Sequence, residues 1–214
     1  MTSTLKRRSQ ADRTAAARAA LVESAITLLS EHGFTRTTTA AIAQHAAVTT
    51  GALHHHFPTK ESLLIAVLDE LSEQALMLFR GLTDRDWQGD GPACSIVESL
   101  WSLYGSRRYW AVWEINLGLR PDENLHQLLI EHRTQTRERM NAALAANNAL
   151  KPETKQALRV LLPFLLSAMR GIFLDTFFAG HDSETLDQQL ERLQHALNQE
   201  IKSLSTNTHS IASA

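Results

Sequence analysis

The chain has 214 residues, 43% hydrophobic and 21% charged, with a formal net charge of −2. That composition builds a buried core, and only 9 Gly and 5 Pro count against a turn-rich sandwich or barrel. A single cysteine, Cys94, excludes an internal disulfide and a zinc–thiolate cluster, and fits a reducing compartment.

Abundant Ala, Leu and Gln favour an all-α fold. Residues 1–10 are polar and read as an arm. Its Lys6, Arg7 and Arg8 are not followed by the apolar stretch of a secretory signal. From Ala11, the residues Ala17, Leu21, Val22, Ala25, Leu28 and Leu29 recur at helical spacing. Gly33 suits the left-handed position that closes such a helix. Thr37 and Thr38 offer an N-cap to a short helix with Ile42, Ala43 and Ala46 on its apolar face. Ala47 and Val48 make a brief turn, Thr49 caps again, and a third short helix reaches His56. Phe57-Pro58 ends it, because a residue before proline is pushed out of the helical region.

A longer helix opens at Thr59-Lys60-Glu61 and buries Leu63, Leu64, Val67, Leu68, Leu71 and Ala75. Asp84 to Pro92 reads as a loop. Helical patterns follow at about 93–105, 107–119, 122–148, 153–179 and 183–204, with fraying expected from Ser205. The most apolar window, Leu158 to Leu174, is broken by Pro163, Ser167 and Arg170. It reads as buried helix rather than a membrane span, and the expectation is a cytoplasmic chain.

Charge is unevenly distributed. Residues 1–60 hold seven Lys and Arg against three acids, and the remainder holds 14 bases against 20 acids. A basic end on an acidic body points to a polyanion as partner of the first sixty residues. Thr38 to His56 spells two short helices with a tight turn, the helix-turn-helix arrangement whose second helix enters the major groove. Small residues, Ala46-Ala47-Val48, stand where those helices cross. Thr49, Thr50, His54 and His55 can meet phosphates and base edges, and Gly51 allows close approach.

Residues 33–64 resemble the N-terminal domain of the tetracycline-repressor (TetR) family. The landmarks are Gly33-Phe34, Thr37-Thr38, Ile42-Ala43, Ala46, Val48, Gly51, His56-Phe57, Lys60 and Leu63. The resemblance implies an all-helical fold: three DNA-binding helices, then about six that bind a small ligand and dimerise. It divides the chain into a helix-turn-helix domain with its basic arm, 1–58, and a ligand-binding and dimerisation domain, 59–214. It implies that Thr38 and Lys60 hold phosphates and that Thr49, Thr50 and His55 face the groove beside Gly51. It also implies that Arg7 and Arg8 enter the adjacent minor groove.

Two positions depart from the family pattern. Ala47 stands where the family usually has Gly, and alanine resists positive φ, so an altered turn is expected. His54 stands where the family usually has a phosphate-binding Tyr, and an imidazole serves that role better when protonated.

All four tryptophans lie beyond residue 80. Trp101, Tyr104, Trp110, Trp113, Leu117, Phe164 and Phe173 are candidates for a pocket, with Glu114 and Arg170 as its polar groups. The implied ligand is small and apolar or aromatic; ordinary core packing is the competing reading of each residue. The helix at 153–179 is apolar on every side, which calls for a partner copy. Leu165, Met169 and Phe178 with Leu190, Leu193 and Leu197 are the candidate interface of a homodimer.

Neighbouring side chains of His54-His55-His56 diverge on a helix, so no metal site is expected. No catalytic or cofactor motif occurs, and Gly89-Asp90-Gly91 lacks the rest of a phosphate loop. The expected function is a ligand-responsive repressor that binds a palindromic operator as a homodimer, without enzymatic activity. A helical metabolite-binding protein or enzyme that binds no DNA is the alternative.

Overall fold

The computed structural model describes residues 10–84, 91–178 and 183–212. The helices are α1 (Gln10–His32), α2 (Thr39–His45), α3 (Thr50–His56), α4 (Lys60–Gly81) and α5 (Pro92–Tyr104). After a 3-10 turn at Arg107–Tyr109 come α6 (Trp110–Leu119), α7 (Glu123–Ala146), α8 (Pro152–Phe178) and α9 (Ser183–Ala212). No strand occurs among the described residues, so the fold is all-α as expected. Arg7, Arg8, Trp87 and Gly89-Asp90 lie outside the described residues.

The helices form two compact units. The first gathers the chain up to Glu73 with Arg107–Ile130; the second gathers Gln74–Ser106 with the chain from Glu131 onward. In the first, α1 turns Leu21, Val22, Ala25, Ile26, Leu28 and Leu29 inward, the stripe read from its spacing. Ile42 of α2, Leu53 of α3 and Leu63, Leu64 and Val67 of α4 close on it. The α6 residues Ala111, Ile115 and Leu119, one per turn, complete that core from far along the chain.

In the second unit α8 packs on α9 and α5. By length and composition α8 would serve as a membrane span. Its Leu158, Leu162, Leu165, Leu166, Met169, Ile172 and Phe173 are nevertheless buried in the protein, as in a core helix. The helix continues through Pro163, which is exposed and lacks the N–H that would donate to the carbonyl four residues before it. Asn147 follows α7 and is buried. Its amide donates to the carbonyls of Phe79, Arg80 and Leu82 at 3.1, 3.3 and 2.8 Å, and its Oδ1 accepts from Ala149 N at 2.9 Å. One side chain thereby satisfies the free carbonyls at the end of α4.

The last helix corrects one expectation. It runs to Ala212 rather than ending near 204. Two hydroxyls near its end bond back within the helix, Ser205 donating to Ile201 O at 2.9 Å and Thr206 to Lys202 O at 3.0 Å.

Candidate nucleic-acid interface

The entry to α2 is built by local chemistry. Gly33 ends α1 at φ +78°, and its N–H donates to Leu29 O at 3.1 Å. Thr37 is buried, and its hydroxyl donates to Gly33 O at 2.8 Å. Thr38, extended at φ −97°, caps α2 by accepting from Ala41 N at 3.1 Å.

At the other end of α2 the carbonyls are closed by a paired backbone motif. Ala47 N donates to Gln44 O at 3.1 Å and Val48 N to Ala43 O at 3.0 Å. That pairing demands a left-handed residue between them. Ala47 supplies it at φ +55°. The turn keeps the geometry that glycine usually serves, at some strain, which corrects the expectation of an altered turn. Ala47→Gly is therefore expected to stabilise the protein by about 0.5–1 kcal/mol. The melting temperature should rise by about 1–4 °C. Ala47 is exposed, so no packing is lost in exchange. An unchanged or lower melting temperature would count against the strain.

Thr49 caps α3 by accepting from Ala52 N at 3.1 Å. Leu53 is fully buried and Phe57, the C-cap residue, is 3% exposed, so one side of α3 is anchored. The guanidinium of Arg18 lies 5.1 Å from the Phe57 ring centroid. Thr50, at the first turn, and Gly51, His54 and His55 are all exposed. A Cβ at Gly51 would meet only Thr49 Oγ1, at 4.0 Å. Nothing among the described residues requires glycine there. No acidic residue occurs between Glu31 and Glu61, while Arg36, Lys60 and five histidines do. An exposed face of hydroxyls and imidazoles without a carboxylate is suited to a polyanion.

Lys60 is half-buried, with Nζ 3.4 Å from Phe34 O and 4.2 Å from the centre of its ring. Burial holds its pKa below the ordinary lysine value, with Glu61 opposing the shift. His45 Nδ1 lies 2.9 Å from Ser24 Oγ and ties the end of α2 to α1. Arg108, in the 3-10 turn, pairs with Glu23 of α1 through both guanidinium nitrogens, Nη2 at 2.9 Å. The Arg108 hydrogen bond holds the Glu23 carboxyl below the ordinary range, so this exposed pair loses its stabilising effect as pH falls through that lowered value.

The same residues are where known proteins align. A model of the bacterial regulatory proteins of the tetR family matches residues 21–67. The HTH-type transcriptional regulator CymR of Pseudomonas putida is 41% identical over 69 residues, 32% of this chain and 34% of CymR. The HTH-type transcriptional regulator UidR of Escherichia coli is 30% identical over 162 residues, 74% of this chain and 80% of UidR. The chain belongs to the TetR family. It is a DNA-binding transcriptional regulator of that family, and α2–α3 is its helix-turn-helix.

Solved TetR-type structures share the fold. Salmonella enterica GusR superposes with a TM-score of 0.63 at 21% identity, over 92% of this chain and 100% of GusR. A TetR-family regulator of Marinobacter aquaeolei gives 0.62 at 15% identity, over 87% of this chain and 98% of that one.

Beyond the helix-turn-helix, the expected site residues fall in different places. In the second unit Tyr104 and Phe173 are buried, and the Arg170 guanidinium lies 5.6 Å from the Tyr104 ring centroid. Trp101 lies against Gly105, where any Cβ would collide with its indole. In the first unit Trp110 and Trp113 are half-buried. Leu117 and Phe164 are more than half exposed, at 58% and 54%, so neither lines an enclosed cavity in this structure. Glu114 is engaged elsewhere: its Oε2 accepts from Phe34 N at 2.7 Å.

The expected dimer face is also redistributed. Leu165, Met169, Leu193 and Leu197 are buried within the chain, and Leu190 is half-buried. Residues already packed in their own core present nothing to a second copy. Phe178 is 77% exposed. Val160, Phe164, Ser167, Gly171 and Phe178 are all exposed and share one stripe of α8 by helical spacing.

Proposed function

We propose that this regulator is a ligand-responsive repressor that binds a palindromic operator as a homodimer. Residues 1–58 read DNA, and 59–214 take the ligand and the partner copy. The carrying observation is the exposed, acid-free face of α3 held by a buried Leu53 and Phe57. In this reading Thr38, His54 and Lys60 hold phosphates, Thr49, Thr50 and His55 face base edges, and Gly51 lets the helix approach. Arg7 and Arg8 follow the minor groove.

The partner copy packs on the α8 stripe of Val160, Phe164, Ser167, Gly171 and Phe178, which are apolar or small and exposed in the single chain, with the exposed Asp175 at the edge of the stripe. Two recognition helices must then stand about 34–36 Å apart to enter successive major grooves. A ligand releases DNA by favouring a wrongly spaced arrangement, and only by its differential affinity for it. The ligand is small and apolar or aromatic, with Trp101, Tyr104, Arg170 and Phe173 as candidate contacts.

A salt-titrated shift assay with paired variants tests the DNA face. Thr50→Ala is expected to cost about 1–3 kcal/mol on the operator and little on random DNA. Lys60→Ala is expected to weaken both alike and to reduce the salt slope by about one unit. Equal losses on operator and random DNA for Thr50→Ala would remove α3 from base recognition.

A further inference from the structure

The turn that launches α2 is gripped by residues eighty positions away in sequence. Phe34 N donates to Glu114 Oε2 at 2.7 Å. The Phe34 ring lies on Gly118, one turn further along α6, where any Cβ would overlap the ring at its fixed inner end. Lys60 Nζ lies 4.2 Å from the centre of the same ring, from α4. A Cβ at Gly33 would come within 3.3 Å of the same Glu114 oxygen. Three residues, Glu114, Gly118 and Lys60, therefore meet this turn.

We propose that Glu114 and Gly118 are positioning residues for operator recognition: α6 holds the Gly33-Phe34 turn and so sets where the helix-turn-helix sits on α1. This rests on α2–α3 being the DNA interface. Phe34 O accepts from Thr37 N at 3.3 Å and Gly33 O accepts from the Thr37 hydroxyl. Thr38 follows directly and caps α2. A shift at Phe34 is passed within four residues to the first turn of α2, and through the fixed Ala47 turn to α3. A carboxylate suits the task because it accepts strongly from a backbone N–H and cannot donate to compete with it. Glycine suits position 118 because the ring occupies the space of a side chain.

The test uses the full chain with Glu114→Ala, Glu114→Gln and Gly118→Ala. The probes are a duplex that wild type selects from a randomised pool and a random duplex of equal length. Glu114→Ala is expected to bind the selected duplex about tenfold more weakly, the scale of one lost charge-assisted hydrogen bond, and to bind random DNA within about twofold of wild type. Gly118→Ala should follow it. Glu114→Gln should regain most of the affinity, because its amide oxygen accepts the same N–H. Hydrogen exchange across residues 33–38 should quicken in Glu114→Ala and slow again in Glu114→Gln. Wild-type affinity in Glu114→Ala, equal losses on both duplexes, or no recovery in Glu114→Gln would each overturn the proposal while leaving the DNA interface standing. A wild-type protein that selects no sequence would overturn the interface reading, and this proposal with it.

Discussion

A chain carrying Val160→Glu and Phe164→Glu is expected to stay folded, sediment as a monomer and lose operator binding. Val160 and Phe164 are 53% and 54% exposed, so glutamate there keeps its hydration in the single chain. In a dimer packed on this stripe, four glutamates would enter one apolar seam. Unpaired buried charge costs several kcal/mol per site, enough to dissolve a micromolar dimer. A monomer meets one half-site alone and forgoes the effective concentration that joins the two, a loss of at least about a hundredfold. Leu165→Glu with Leu193→Glu would not be informative, because both leucines are buried in the chain's own core and the variant would unfold. Sedimentation decides the matter: a monomeric wild type, or a dimeric variant, would remove α8 from the interface.

Asn147→Asp is expected to be among the most damaging single-atom exchanges in the protein. The Asn147 amide donates to three carbonyls at the end of α4. A carboxylate in its place faces those carbonyls with no proton to give, at a site only 7% exposed. The cost is about 3–5 kcal/mol near neutral pH. Burial and the carbonyl oxygens would raise the folded-state pKa of the new carboxyl above its unfolded value of about 3.9. Its folded form then resists charging, so the penalty is full above that raised value and shrinks as pH falls toward about 4. Asn147→Ala removes the donors without adding charge and should cost less, about 1–3 kcal/mol, with no such pH dependence. Thermal melts of both variants at about pH 7 and pH 4.5 check the sign. A destabilisation of Asn147→Asp that does not ease in acid would contradict the geometry.

The boundaries of α1, α2 and α3 were legible because their signals are local. Gly33 closes α1, Thr38 and Thr49 cap α2 and α3, and Phe57-Pro58 stops α3, each at the place its side chain or backbone chemistry requires. The polar residues of α3 were legible as exposed, but helical spacing alone sets only 51 and 55 opposite the buried Leu53 and Phe57; Thr50 shares their side and is exposed at the open first turn of the helix. Ala47 was read correctly as the departure from glycine but wrongly as an altered turn. The two backbone hydrogen bonds around it hold the left-handed conformation, and their strength is not visible in the residue itself.

Sequence by itself determined the all-helical class, the helix-turn-helix and the family. Helical periodicity, capping and turn chemistry act within four or five residues, so a linear reading carries them. Tertiary structure decided which apolar residues of α8 are core and which are surface, since Leu165 and Phe164 are chemically alike and differ only in what lies beside them. It decided that Glu114 serves the turn before α2, a pairing across eighty residues that periodicity cannot encode. It also revealed why a glycine, Gly118, stands inside α6. A glycine there lowers helix propensity, and the reason for it is the space taken by the ring of Phe34, which only packing supplies.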